Sequence, residues 1–321
     1  MELANVLLIG GSGFVGGWIA SRLSENGVRV TIPTRRRENT RKMTMLPTVD
    51  LVEANVHDPQ VLAELMRGQD AVINLVGVLH DNDSRLPYGK GFAAAHVALP
   101  GKVVAAMQRT GVRRLVHMSA LRAAHNAPSE YLRSKGDGEA AVRAAMAELE
   151  ITIFRPSVIF GPDDAFLNMF AKLIKVFPIL PLGGGAARFQ PVYVGDVATA
   201  FVNCLSDRGT VGQTYELCGP KIYTLREMVE YTARLVGKSP RIIDLGTGGW
   251  AYLQAGVMWL LPNPPLSPDN LRSMEVDSVT DGSLNYPGWQ PKPLEAVAPT
   301  YLSPAEISQL RLNRYRYRAG R

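Results

Sequence analysis

The sequence contains few cysteines and histidines. Cys204 and Cys218 are the two cysteines among 321 residues, which excludes a disulfide framework and favours a reducing compartment. No histidine pair lies at metal-ligand spacing from either cysteine, so we expect no metal site. We expect four of the histidines to be ordinary polar or core residues, namely His57, His80, His117 and His125.

Long apolar runs are also missing. The longest apolar stretch, residues 250–261, is too short to cross a bilayer as a helix. Met1 and Glu2 lead directly into a strand-like segment, without the basic and apolar regions of a signal peptide. We therefore expect a cytoplasmic protein.

The excess of positive charge is small and local. The formal net charge is +6, with 46% hydrophobic and 20% charged residues, as in soluble globular proteins. The basic residues concentrate at Arg35-Arg36-Arg37, at Arg41-Lys42, and in the tail at 311–321. Because the rest of the chain is not basic, we expect no nucleic-acid partner.

The most informative segment present lies at the start of the chain. An apolar run at 6–9 leads into Gly10-Gly11-Ser12-Gly13-Phe14-Val15-Gly16. Glycines at this spacing let the backbone turn sharply, approach a pyrophosphate, and pack the next helix close to its strand. A lone match to this spacing would more often be an ordinary loop. Here a strand precedes it and an apolar-periodic helix follows, so the segment predicts a dinucleotide pocket.

Strand and helix patterns alternate through the first half of the chain. Asp58 and Ser129 are expected to cap helices, as is Thr224 in a capping box with Glu227. A helix at 92–110 is expected to be interrupted at Pro100-Gly101. The predicted strands are 6–9, 28–32, 51–56, 71–76, 114–119 and 151–154.

This alternation predicts an α/β fold, a Rossmann-type doubly wound parallel sheet with a smaller C-terminal α/β lobe. We expect residues 1–160 to form the dinucleotide-binding domain, with 190–205 returning to it as a strand and a helix. Residues 161–321 would form the smaller substrate or partner lobe, ending in the basic tail.

A tyrosine and a lysine lie four residues apart after the fifth predicted strand. On a helix, Tyr131 and Lys135 project from one face. The lysine charge would lower the pKa of the phenol and prepare it for proton transfer, and the ammonium could also bind a ribose. Such a pair is common on amphipathic surface helices, but its place in a dinucleotide fold favours a catalytic or cofactor-binding role.

These segments together resemble the short-chain dehydrogenase/reductase superfamily, in its extended and atypical, NAD-dependent epimerase/dehydratase-like branches. The resemblance covers nearly the whole chain and is strongest toward the nucleotide-binding accessory subunit of respiratory complex I and its bacterial relatives. The motifs that carry it, besides the glycines and the Tyr131/Lys135 pair, are Asn74-Leu75-Val76-Gly77, His117-Met118-Ser119-Ala120-Leu121, Arg155-Pro156-Ser157-Val158-Ile159-Phe160-Gly161-Pro162, Phe166-Leu167-Asn168, Gln190-Pro191-Val192-Tyr193-Val194, Pro268-Asp269-Asn270-Leu271-Arg272-Ser273-Met274 and Pro304-Ala305-Glu306.

The resemblance implies a role for each segment of the site. The glycine-rich turn would hold the pyrophosphate, the segment after the third strand would lie near the adenine, and the segment after the fourth would flank the ribose. Tyr131 and Lys135 would meet the nicotinamide riboside, with the segment after the sixth strand near the carboxamide. The implied cofactor residues, in that order, are Gly10, Gly13, Phe14, Val15, Gly16, Asn55, Val56, Leu75, Val76, Gly77, Tyr131, Lys135, Pro156, Ser157 and Val158.

The catalytic set is incomplete relative to that superfamily. Members that transfer hydride usually carry Ser or Thr one or two residues beyond Ser119, where this chain has Ala120 and Leu121. Ser119 either serves through a small register change or simply ends its strand. His96 stands where many extended members have asparagine.

The end of the second strand indicates which nucleotide is preferred. A carboxylate there would accept hydrogen bonds from a 2′-hydroxyl, but this chain has Arg35 and Arg36 instead. Guanidinium groups suit bidentate binding of a 2′-phosphate. We therefore expect a preference for NADP(H) over NAD(H), with a solvated basic loop as the alternative.

Two further segments concern partners. The apolar stretch from Trp250 onward is expected to be a buried helix or the mouth of a lipophilic substrate site. The tail, with Tyr315 and Tyr317 among its arginines, favours contact with a membrane surface, on the inner face of the cytoplasmic membrane, or with respiratory-complex subunits.

Two functions remain open from the sequence. The chain either holds NADP(H) tightly beside a respiratory or ubiquinone-related membrane assembly, or works as an oxidoreductase or epimerase on a lipophilic or nucleotide-sugar substrate. A redox sensor that responds to the NADP+/NADPH ratio is a third, weaker hypothesis.

Overall fold

A computed structural model of the chain describes residues 3–40, 43–81, 83, 86–259, 266–304 and 307, without the side chains of 38, 39 and 257–259. The basic tail at 311–321, Arg41, Lys42 and the end of the apolar stretch at 260–261 lie outside the described residues. The chain forms two compact units. The first comprises Met1–Pro156, Val194–Leu217 and Asp281–Trp289, and the second comprises Ser157–Tyr193, Cys218–Thr280 and Gln290–Arg321.

The elements follow one another in a regular α/β order. The strands are β1 (Asn5–Ile9), β2 (Arg29–Thr34), β3 (Val49–Glu53), β4 (Ala71–Asn74), β5 (Arg114–Met118), β6 (Glu150–Pro156), β7 (Ile159–Phe160), β8 (Ile179–Gly183), β9 (Arg188–Phe189), β10 (Val192–Tyr193), β11 (Thr214–Leu217), β12 (Tyr223–Thr224) and β13 (Arg241–Gly246). The α-helices are α1 (Phe14–Glu25), α2 (Pro59–Met66), α3 (Lys90–Phe92), α4 (Leu99–Thr110), α5 (Glu130–Arg143), α6 (Phe166–Val176), α7 (Val194–Ser206), α8 (Leu225–Leu235), α9 (Gly249–Trp259), α10 (Pro268–Ser273), α11 (Leu294–Val297) and α12 (Pro299–Leu302).

The first unit is built on a seven-stranded parallel sheet in the order β11-β6-β5-β4-β1-β2-β3. The four apolar residues of β1, Val6 to Ile9, are fully buried, because helices cover both faces of a parallel sheet. Helices α2, α4 and α5 share a core with Leu7 and Ile9, while α1 packs against α7. The predicted Rossmann-type parallel sheet is confirmed.

The expected helix caps are also confirmed. The side chain of Asp58 accepts hydrogen bonds from the first amides of α2, and Ser129 accepts one from Leu132 in α5. Thr224 and Glu227 form the capping box of α8. These caps are local, so the sequence alone determines them.

The expected interruption at Pro100-Gly101 is wrong. Pro100 lies within the first two residues of α4, where proline costs no hydrogen bond. The irregularity lies just before it, where Ala93–Ala98 form a π-helical segment between α3 and α4. Because proline has no N–H, the helix can change its hydrogen-bond pattern upstream without breaking.

The seventh strand of the central sheet was not predicted. Strand β11 pairs in parallel with β6, and the amide of Glu216 donates to the carbonyl of Leu284 at 2.8 Å. The predicted strand at 190–194 is shorter, as β10, and pairs with β7 rather than with the central sheet. A two-residue strand carries too little pattern to assign its partner from sequence.

The second unit has its own apolar core. Helices α6 and α8 pack on each other and on residues of β8, α11 and α12. Strands β8 and β13 pair in parallel, and β9 and β12 pair antiparallel.

Among the helices described, none is long and apolar enough to span a bilayer. The expected burial of α9 is correct for one face, since Ala251 and Ala255 are fully buried while Trp250 is 74% exposed.

Candidate functional site

Gly10 and Gly16, in the turn between β1 and α1 and at the start of α1, leave no space for a side chain. Gly10 adopts a φ of +82°, and a Cβ there would lie 3.0 Å from the amide nitrogen of Val76. A Cβ at Gly16 would lie 2.4 Å from the carbonyl oxygen of Gly11. Any side chain at Gly16 would therefore push α1 away from the turn.

The start of α1 offers amides to an anion. Gly13 is the N-cap and provides no side-chain oxygen, and the first turn, with Phe14, Val15 and Gly16, contains no acidic residue. The first N–H groups of a helix lack intrahelical acceptors, and the helix dipole favours negative charge there. The turn therefore fits a pyrophosphate.

The end of β2 carries exposed cations. Arg35 and Arg36 are exposed, and no ion pair of either guanidinium is present among the described side chains. Arg37 instead donates to the carbonyl of Leu51 on β3. A carboxylate is close on the neighbouring strand, because Glu53 is the register partner of Thr34.

The segment after β3 lies beside this basic turn. The amide of Ala54 donates to the carbonyl of Thr34 at 3.0 Å, and the Asn55 side chain accepts from the His57 amide at 3.1 Å. Val56 packs on the core of the first unit. Burial, with the nearby charges of Lys102 and Arg35, lowers the pKa of His57, so these cations act on the segment after β3.

The segment after β4 connects the glycine turn to the Tyr131 helix. Leu75 and Val76 are the neighbours that crowd Gly10. Two residues beyond Val76, the amide of Val78 donates to Nε2 of His96 at 3.0 Å, and the Tyr131 ring packs edge-on against the His96 ring, with the ring centroids 5.5 Å apart. Gly77, between Val76 and Val78, also lies close to this histidine, because a Cβ at Gly77 would be 3.6 Å from Nε2 of His96.

His96 is a neutral structural group in this arrangement. Since Nε2 accepts from Val78, the ring proton lies on Nδ1, which is 2.8 Å from Oγ of Ser134. Burial, then the charges of Lys135 and His117, lowers the pKa of His96 to about 2. The sequence marked this position as unusual but did not predict its contacts.

The pKa of Tyr131 does not shift in the direction expected from its pairing with Lys135. Nζ of Lys135 donates to the carbonyl of Met118 at 2.6 Å. Burial raises the pKa of Tyr131 to about 12, and burial lowers that of Lys135 to about 8 against the opposing charge of Glu139. The expected lowering of the phenol pKa by Lys135 is therefore wrong here, because burial dominates and the ammonium is directed at a backbone carbonyl.

A buried ion-pair network lies one helical turn beyond Lys135. Glu139 is 2% exposed and accepts from Nε and Nη2 of Arg155 at 2.8 and 2.7 Å, and from Nε of Arg143 at 2.9 Å. Burial opposes ionisation, but Arg155, Ser119 and Arg143 together hold the pKa of Glu139 below its ordinary value. Sequence reasoning missed Glu139, although its spacing of four from Lys135 was a signal.

The side chain of Ser119 is buried without a hydrogen-bond partner within the described parts of the chain. It is 3% exposed, and its hydroxyl has no hydrogen bond of normal geometry, although it is near enough to Glu139 to affect the pKa of that carboxyl. An unpartnered buried hydroxyl costs free energy unless a ligand or water satisfies it, which fits a site completed by a nucleotide or substrate.

The remaining predicted residues end β6. Pro156 is its last residue, and the carbonyl of Pro156 accepts from the amide of Leu121 at 3.0 Å. Ser157 and Val158 belong to the second unit, where the Ser157 hydroxyl donates to the carbonyl of Ser278 at 3.0 Å. Within the first unit, the structure brings together the residues predicted for pyrophosphate, ribose and nicotinamide riboside.

The chain matches the sequence model of the NAD dependent epimerase/dehydratase family over residues 6–218. This chain belongs to that family. The matched region contains the glycine turn, the segments after β3 and β4, and the Tyr131/Lys135 pair. Membership agrees with the resemblance found in the sequence, and it accounts for a fold that binds NAD(P).

Curated relatives include subunits of a respiratory enzyme and a reductase. The mitochondrial NADH dehydrogenase [ubiquinone] 1 alpha subcomplex subunit 9 of Arabidopsis thaliana is 31% identical over 294 residues, covering 87% of this chain and 72% of the relative. Its Mus musculus counterpart is 32% identical over 300 residues, covering 90% and 77%. The ceramide reductase of Caulobacter vibrioides is 28% identical over 259 residues, covering 79% and 76%.

Solved structures share the fold. The crystal structure of gox2253 has a TM-score of 0.72 at 22% identity, covering 95% of this chain and 98% of that one. A dTDP-glucose 4,6-dehydratase, DesIV from Streptomyces venezuelae, with NAD and TYD bound, has a TM-score of 0.66 at 22% identity, covering 75% and 84%. At such low identity these likenesses concern the fold alone.

The structure adds one observation on metals and one on cysteines. Among the described residues, no group of three or more His, Cys, Asp or Glu side chains is placed to hold a metal ion. Cys204 and Cys218 are buried free thiols, and burial raises the pKa of Cys204 to about 12. A thiol with so high a pKa is a poor nucleophile.

Proposed function

We propose that this chain holds NADP(H) tightly, and that it is linked to a respiratory or quinone-related membrane assembly. The observation that carries the nucleotide role is the side-chain-free cradle at Gly10 and Gly16, followed by a helix start without an acidic first turn. A bound nicotinamide would supply or accept hydride. The residues of this chain would bind the pyrophosphate, orient the ribose and place the ring of Tyr131 beside His96.

A holding role fits the state of the Tyr131 region better than efficient proton transfer does. A phenol with a pKa near 12 is far from the pH at which a general acid or base works well. The two positions after Ser119 hold buried Ala120 and Leu121, which offer no hydroxyl. We expect Lys135, which donates to the carbonyl of Met118, to bind ribose hydroxyls when nucleotide is present. The respiratory link is supported by the names of the Arabidopsis and mouse relatives.

The second candidate is an active reductase or epimerase of the same fold. Tyr131 and Lys135 are both present in the buried region beside His96. The relative named ceramide reductase, together with exposed Val78 and Leu79 just after the ribose segment, favours a lipophilic substrate over a nucleotide sugar. Loss of nicotinamide absorbance on mixing with quinone or long-chain carbonyl compounds would identify this activity. Cofactor that survives gel filtration without turnover supports the holding role.

Nucleotide binding is tested with two glycine variants. Gly16→Ala should weaken NADPH binding at least about 100-fold, a loss of about 2.7 kcal/mol, because its Cβ would overlap Gly11. Gly101→Ala is the matched control, since a Cβ there meets nothing within 4 Å. Calorimetry of the ligand-stripped proteins measures the NADPH dissociation constant of each variant. Absence of heat with either pyridine coenzyme in the unmodified chain would overturn the proposal.

The preference for NADP(H) is tested at the two ends of β2. Arg35→Ala should weaken NADPH binding by about 10- to 100-fold, the value of a charge-assisted phosphate contact, and leave NADH binding nearly unchanged. Arg29→Ala removes the same charge from the opposite, exposed end of the strand and should affect neither. Equal affinities of the unmodified chain for NADPH and NADH would contradict the preference.

A further inference from the structure

One face of the second unit exposes apolar residues on a small sheet. Along β8, Leu180 and Leu182 point into the core, whereas Ile179 is 51% exposed. The register pairs Ile179 with Arg241 and Pro181 with Ile243, so these four residues share the outward side of the sheet. We call them the β8/β13 face.

Apolar residues continue from this face to the end of α6. Val176 and Phe177 are 71% and 50% exposed, and Pro178 alone separates them from Ile179. Helix α9 covers the other end of the face, because a Cβ at Gly183 would lie 3.0 Å from Cβ of Ala251. That helix exposes Trp250 and Leu253. Exposed apolar residues grouped in this way mark an interaction surface rather than chance exposure.

Cations predominate on the α6 side of this face, and Asp244 of β13 is an exposed carboxylate near its other end. Lys172 and Lys175 are exposed on α6, and Arg241 lies on the face itself. Residues 165–195 contain no Asp or Glu. A tip of valine, phenylalanine and isoleucine surrounded by cations has the composition that inserts into the interface of an anionic bilayer, where aromatic residues enter the headgroup region and cations meet phosphates.

A cavity beside α6 offers a place for a lipid headgroup. Its volume is about 390 Å³, within the usual range for ligand sites, about 300–1,000 Å³. Lys172 and Lys175 line it together with apolar Ala171 and Leu302. The side-chain amide nitrogen of Asn168, also in the lining, is buried and has no hydrogen-bond partner in the described part of the chain. A phosphate oxygen would satisfy that donor.

We propose that the β8/β13 face and the exposed end of α6 dock on an anionic lipid bilayer, with a headgroup phosphate held by Lys172, Lys175 and Asn168. This inference rests on the membrane link of the proposed function and names its surface and its lipid class. It does not involve the nucleotide cradle, so binding of NADPH can be measured separately in every variant.

The test measures sedimentation of the full chain with vesicles of phosphatidylcholine alone or mixed with phosphatidylglycerol. We expect binding to the mixed vesicles at low salt and a marked decrease at high salt. Lys172→Glu with Lys175→Glu should reduce binding by at least about fivefold for each lysine. Val176→Ser with Phe177→Ser should reduce it at least about tenfold. NADPH binding should be unchanged in both double variants.

Matched controls come from the first unit. Lys90→Glu with Arg109→Glu makes the same charge change at exposed positions, and Met45→Ser with Leu86→Ser removes residues that are 80% and 92% exposed. Neither control should reduce vesicle binding by more than about twofold if the surface is specific. Equal losses in controls and test variants would overturn the proposal.

The basic tail provides a separate arm of the experiment. Its arginines are replaced by glutamine in the full chain. If the tail variant loses binding while the α6 variants keep it, the proposed surface is overturned. Indifference of the unmodified chain to anionic lipid, with NADPH binding intact, would overturn the surface and leave the nucleotide role standing. The replaced residues are Arg311, Arg314, Arg316, Arg318 and Arg321.

Discussion

The two units differ in where they place charged and apolar groups. The first unit buries charge, with Lys135, Glu139 and Arg114 each less than 7% exposed. The second exposes neighbouring apolar side chains along one segment, at Val176, Phe177 and Ile179, whereas Met45 and Leu86, the most exposed apolar residues of the first unit, lie far apart in the chain. Buried charge requires fixed partners, whereas exposed apolar surface requires a partner from outside. The contrast indicates an internal binding site in one unit and an interaction surface in the other.

The largest expected difference between the units concerns ion pairs. Glu139→Ala should lower the free energy of unfolding by about 3–5 kcal/mol, because Arg155 would keep its partly buried charge without a partner. Glu230→Ala in the second unit breaks the Arg226–Glu230 pair, whose side chains are 46% and 41% exposed, and should cost less than about 1 kcal/mol. Urea unfolding measures the free energy of unfolding of both variants. Equal losses of stability would contradict the difference between the two units.

A second effect on stability is expected from acid. His96 and His117 have ordinary pKa values of 6.5 when unfolded, and burial lowers them to about 2 and about 3 in the fold. Below pH 6.5 the unfolded state therefore binds protons that the folded state does not. Stability is retained above that pH and lost as the pH falls, by up to about 1.4 kcal/mol per pH unit for each histidine.

Variants assign this acid sensitivity to the first unit. His96→Asn should roughly halve the dependence of stability on pH between about 6 and 4, because one of two buried histidines is removed. The unmodified chain gives the reference slope. Thermal unfolding across the pH series gives both slopes. An unaltered slope in His96→Asn would show that other groups cause the acid sensitivity.

The smallest expected effect lies on the exposed face of the second unit. Ile179→Ala should change the free energy of unfolding by no more than about 0.5 kcal/mol, as surface substitutions usually do. The next residue, Leu180, is 4% exposed, and Leu180→Ala should cost about 2–5 kcal/mol. Chemical denaturation of the two variants tests this alternation. A large loss for Ile179→Ala would mean that its side chain contributes to the core.

Local signals predicted much of the nucleotide-binding unit. The apolar run of β1, the glycines after it and the caps Asp58, Ser129 and Thr224 depend on neighbours in the sequence, so the pattern was sufficient. Strand β11 was missed because a four-residue strand late in the chain carries little periodicity. The pairing of β10 with β7 was missed because two residues do not identify a partner strand.

The chemistry of the candidate site was less predictable. The four-residue spacing of Tyr131 and Lys135 indicated a shared helix face, but not that Lys135 would donate to Met118. A pKa depends on burial and on the groups that surround the side chain, which come from distant parts of the chain. Burial therefore reversed the expected shift at Tyr131.

Local patterns were sufficient to predict the alternation of strands and helices, the glycine cradle and the cations after β2, because each follows from neighbouring backbone and side-chain chemistry. The fold brought Arg155 of β6 to Glu139 beside Lys135. It also decided that the hydroxyl of Ser119 would be buried without a partner, and that β8 and β13 would expose isoleucines on one face. These features depend on contacts between residues far apart in the chain, and burial sets their energies.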